Sequence, residues 1–93
     1  MIKHIVLWEL ADKDQADANA AKMKEQLEAL VGQAPGLLSA QVGRGFVGCD
    51  VALIAELESR EALEAYQNFE PHVVIKNWIG TIAKSRTVCD FEC

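Results

Sequence analysis

Gly43-Arg44-Gly45-Phe46-Val47-Gly48-Cys49-Asp50-Val51-Ala52-Leu53-Ile54-Ala55-Glu56-Leu57 is the stretch on which the fold turns. Its first six residues match G-x-G-x-x-G, the spacing of a dinucleotide-binding loop. Such a loop works only when a helix comes directly after it, because the helix N-terminus holds the pyrophosphate. The residues after Asp50 instead have period two, with Val51, Leu53, Ala55 and Leu57 on one face and Ala52 and Ile54 on the other. Apolar residues at that period make a strand. The glycines are therefore read as a hairpin loop between strands, and no cofactor is expected.

On the N-terminal side, Leu37 to Arg44 reads as the hairpin's other strand, with Leu38, Ala40 and Val42 on one face against Leu37, Ser39 and Gln41. Pro35-Gly36 is a turn signal before it. Ala16, Ala20, Met23, Leu27, Leu30 and Val31 recur at helical spacing, with Lys24 and Glu28 outside. This predicts an amphipathic helix of about four turns, opened by Asp12 or Asp14 and stopped by Gly32. At the start, Ile2, His4, Val6, Trp8 and Leu10 alternate with Lys3, Ile5, Leu7 and Glu9, which is a strand.

On the C-terminal side, Ser59 caps a short helix whose stripe is Ala62, Leu63, Tyr66 and Phe69. Pro71 cannot continue that helix but suits the first turn of another. A helix ending near Asn68, a bend, and a helix beginning near Pro71 are predicted, the latter with Val74, Ile75, Trp78, Ile79 and Ile82 as its apolar set. Ser85 to Glu92 closes the chain as a strand, Thr87, Cys89 and Phe91 alternating with Arg86, Val88, Asp90 and Glu92.

The order βαββααβ predicts an α+β, ferredoxin-like domain over residues 1–93, a four-stranded antiparallel sheet with helices on one face. Such a domain leaves the other sheet face bare. Ile5, Leu7 and one apolar row of the third strand would then meet water. Burial returns roughly 25 cal/mol per Å², so a second copy packed sheet to sheet is the expected partner.

Bulk composition narrows the function classes. A net charge of −5, with the nine basic residues scattered, excludes the usual nucleic-acid footprint and an affinity for anionic membrane surfaces. No apolar run reaches the roughly 18 to 20 residues of a membrane span, and the N-terminal run is too short for a signal peptide. A cytoplasmic protein is expected. Cys49, Cys89 and Cys93 are odd in number and lack zinc-site spacing, so reduced thiols and no metal are expected.

Four blocks also resemble one family. Lys3-His4-Ile5-Val6-Leu7-Trp8, then Pro35-Gly36-Leu37-Leu38-Ser39 with Val42-Gly43-Arg44, then Leu63-Glu64-Ala65-Tyr66-Gln67, and finally Ser85-Arg86-Thr87-Val88-Cys89-Asp90-Phe91-Glu92 resemble the stress-responsive A/B barrel (Dabb) family in order and spacing. The resemblance implies a homodimeric α/β barrel. Most members have no assigned activity. One plant member is a cyclase that closes a polyketide thioester by aldol condensation, using a tyrosine and a histidine that match Tyr66 and His72; its further pocket histidine matches His4. The family's His-Pro-x-His turn is Phe69-Glu70-Pro71-His72 here, without the first histidine and with the proline shifted.

The candidate site is therefore the bend between Tyr66 and His72, six positions apart. A histidine in the first turn of a helix is held neutral by the dipole and can act as a general base. A phenol can donate to a developing enolate oxygen. His4, Trp8 and Trp78 are candidate ligand contacts, and Arg44 and Arg86 are candidates for a carboxylate unless they serve ion pairs. The same residues have a structural reading: Tyr66 as a core aromatic, His72 as a helix cap, His4 as a satisfied core histidine. The functions left open are a dimeric protein of unassigned activity with a small-molecule pocket between sheet and helices, a cofactor-free lyase or cyclase acting on an apolar carbonyl compound, and a non-catalytic oligomer.

Overall fold

The computed structural model describes residues 1–93, and its elements follow the predicted order. They are β1 (Ile2–Leu10), α1 (Ala16–Glu28), β2 (Leu37–Arg44), β3 (Val51–Leu57), α2 (Arg60–Asn68), α3 (Glu70–Ile82) and β4 (Ala83–Glu92). The sheet order is β2-β3-β1-β4, with every neighbouring pair antiparallel. A strand after the glycines removes the dinucleotide reading, since no helix follows that loop.

Alternation along β1 and β3 sets the layers. Ile2, His4, Val6, Trp8 and Leu10 are buried, as are Val51, Leu53, Ala55 and Leu57 opposite them. Onto this face α1 lays Ala16, Ala20, Met23 and Leu27, and α3 lays Ile75 and Ile79. Met23 and Leu27 lose essentially all contact with water, worth roughly 1.5–3 kcal/mol each. Val31 lies past the end of α1 and is exposed, so the stripe ends at Leu30. Val74, expected in the apolar set of α3, is also exposed.

β2 departs from the expected alternation. Leu37 pairs with Leu57 and Ser39 with Glu56, so Leu38 is an extra residue in the ladder. The bulge places Leu37 with Ala40 and Val42 on the inner side, and Leu38 is exposed. A second irregularity pairs Glu9 with Ser85 and Leu10 with Ala83, which lets β4 begin directly where α3 stops, two residues earlier than expected.

The far face of the sheet is bare. Leu7 is 40% exposed, Ile54 45% and Phe91 44%, with Ile5 and Ala52 half-buried among them. No helix in the chain is long and apolar enough to cross a membrane.

Candidate functional site

The bend is built by local rules. Ser59 opens α2 by accepting a hydrogen bond from the Ala62 amide at 3.1 Å. After Asn68 the chain turns extended at Phe69 (φ −66°, ψ 121°), and Pro71 sits in the first turn of α3. His72 is the third residue of α3 and is buried.

Its ring reaches back to α2. The His72 Nδ1–H donates to the Tyr66 carbonyl at 2.8 Å, satisfying an oxygen in the last turn of α2. This fixes the tautomer and leaves Nε2 as the acceptor. The two rings stack at 3.9 Å between centroids and 16° between planes. His4 and Tyr66 form a T-shaped pair with 6.2 Å between ring centroids, and the His4 Nδ1 is bonded to the Asp90 carboxylate on the neighbouring strand. Burial, more than any neighbour, pushes the His72 imidazole down to about 4, with a partial offset from its bond to Tyr66 and a further push from Lys76, His4 and Arg86. His72 is thus neutral at pH 7. Burial pushes the Tyr66 phenol up to about 12.

Beside these rings lies a cavity of about 490 Å³, within the range of small-molecule sites. His4, His72, Val6, Trp8 and Leu27 contribute to its wall, and Lys76, Lys84 and Arg86 supply its charge. Of the five predicted site residues, His4, Trp8 and His72 come together here. Tyr66 does not line the cavity; its hydroxyl is buried without a hydrogen-bond partner. Trp78 lies outside the wall, under the Lys22 ammonium at 4.2 Å from the ring centroid. The Trp8 indole N–H is buried and also lacks an acceptor. Arg44 is engaged with Asp17 at 2.9 Å and more loosely with Asp50 at 3.5 Å, whereas Arg86 faces the cavity. Lys76 and Gly80 also line the cavity, one and two helical steps of four beyond His72, a periodicity that could have singled them out as wall residues.

The geometry agrees with the likeness to known proteins. The profile of the Stress responsive A/B Barrel Domain matches residues 2–93. The chain belongs to that family. No curated protein matches. Among solved structures, a dimeric ferredoxin-like protein of unknown function from Bacteroides fragilis is 24% identical, with a TM-score of 0.90 over 99% of this chain and 95% of its own. A dimeric ferredoxin-like protein of unknown function from Thermobifida fusca is 23% identical, with a TM-score of 0.82 over 99% and 90%. At3g17210 from Arabidopsis thaliana is 17% identical, with a TM-score of 0.86 over 100% and 95%. At these identities the likeness is one of fold, and this stress-responsive A/B barrel protein has no assigned activity.

Proposed function

We propose that this A/B barrel protein binds a small apolar molecule between sheet and helices, as a homodimer joined through the bare sheet face. The cavity carries the proposal. It is lined by core aliphatics yet carries a neutral His72 with a free acceptor and the cations Lys76 and Arg86. A closed structural core would fill that volume. The dimer reading is supported by the exposed apolar residues on the bare face and by the two bacterial structures described as dimeric.

The lyase or cyclase reading is less favoured. His72 has the tautomer a general base needs, but the Tyr66 hydroxyl is outside the cavity, where it cannot reach a substrate oxygen. A thermal-shift screen of small aromatic and aliphatic compounds tests the binding proposal. Ligands should raise the melting temperature of the wild type and have no effect on Gly80→Phe. Gly80 lines the cavity, and a Cβ there meets nothing within 4 Å, so a larger side chain can start at its wall without overlap. A screen in which hits stabilise both proteins alike would refute binding in the cavity.

A further inference from the structure

The chain is acidic, with fourteen Asp and Glu against nine Lys and Arg, so a basic side chain should find a carboxylate easily. Six of the nine do. Lys3 lies 4.0 Å from Glu56, Lys13 2.6 Å from Asp50, Lys24 2.7 Å from Glu28, Arg44 2.9 Å from Asp17, Arg60 3.0 Å from Glu92 and Lys84 3.9 Å from Glu9. Of the other three, Lys22 lies over Trp78. The remaining two, Lys76 and Arg86, both line the cavity, and no Asp or Glu lines it with them.

Lys76 is also held in place. Its ammonium donates to the Gln67 carbonyl at 2.7 Å and to Gln67 Oε1 at 3.3 Å, both neutral acceptors that orient the charge without cancelling it. Two cations left unpaired beside an apolar cavity repel each other unless an anion joins them. Burial first, and Arg86 after it, push the Lys76 ammonium down from its ordinary value. Asp90, the nearest acid on the inner side of β4, is already bonded to His4.

Taking the cavity as the ligand site proposed above, we infer that its ligand is a small apolar organic acid. Lys76 and Arg86 hold the anionic head, Arg86 with the paired donors that suit a carboxylate. Leu27, Leu53 and Ile79 cover the apolar body. The two cations come from different elements, α3 and β4, and only the folded domain brings them to one wall.

Calorimetric titration with two matched pairs tests this: 2-naphthoate against 2-naphthamide, and octanoate against octanamide. At least one acid should bind about tenfold or more tightly than its amide. Lys76→Gln and Arg86→Gln should each remove most of that preference while leaving amide binding alone, and Arg60→Gln, at an exposed ion pair, should change neither. Equal binding of acid and amide, abolished by Gly80→Phe, would overturn the anion preference and leave the cavity as a ligand site. Failure of all four probes to bind would count against both readings. Acid preference unchanged in Lys76→Gln and Arg86→Gln would overturn the assignment of the head group.

Discussion

The stacked pair of Tyr66 and His72 concentrates what is unusual about the residues of this domain. An imidazole held neutral by burial makes stability depend on pH with a definite sign. The unfolded chain takes up its proton near 6.5 and the folded one near 4. Above 6.5 neither state is protonated, and this contribution is fully present. Between 6.5 and 4 the unfolded state binds more protons, so stability falls by about 3 kcal/mol as the pH is lowered through that window. Urea midpoints measured across that window should drop in the wild type and drop less in His72→Gln; parallel curves would show that His72 is not the titrating group. Tyr66→Phe removes a buried hydroxyl that has no partner, so it should leave stability unchanged or raise it by up to about 1 kcal/mol, whereas Tyr66→Ala should cost about 3–5 kcal/mol. A Tyr66→Phe loss of about 2 kcal/mol or more on denaturant unfolding would mean that the hydroxyl does find a partner. The six-residue spacing of this pair was legible in the chain. Which side of the stack the hydroxyl takes was not, because spacing along two helices does not say how their side chains tilt.

Among the elements, period and caps carried most of the structure. β1 and β3 alternate cleanly because one face is buried, and the position of Pro71 marks the break between α2 and α3. The bulge in β2 was hidden, since Leu37 and Leu38 are both apolar and either suits the inner face until the turn fixes the register. That turn depends on Gly36. Its φ is +81°, and an added Cβ would lie 2.5 Å from the Cβ of Ala62 on α2. Backbone strain and overlap act together, so Gly36→Ala should destabilise by about 2–3 kcal/mol. Gly32, also at positive φ but with open space around it, should lose about 1 kcal/mol on the same change. Chemical denaturation of both variants checks the difference, and equal losses would show that Ala62 yields.

For the whole molecule, the two faces of one sheet differ in what they carry. The inner face carries the cavity; the outer one carries Leu7, Ile54 and Phe91 in water. Ile54→Asp, at the middle of the bare face, should convert a dimer to a folded monomer in light scattering at micromolar concentration. A wild type already monomeric there would contradict the sheet-to-sheet dimer. The bare face was legible from strand alternation alone. Of the cavity's charge Arg86 was legible as a candidate for a carboxylate, but its pairing with Lys76 was not, because the two lie ten residues apart on α3 and β4 and meet only once the β1–β4 register is set. Ligand binding in this cavity is tested most directly by the two tryptophan indole N–H resonances in a nitrogen-15-labelled sample. Trp8 lines the cavity, and Trp78 lies outside it. Titration with 2-naphthoate should move the Trp8 resonance to saturation and leave that of Trp78 in place. A stationary Trp8 signal, or equal movement of both, would contradict binding between the sheet and the helices.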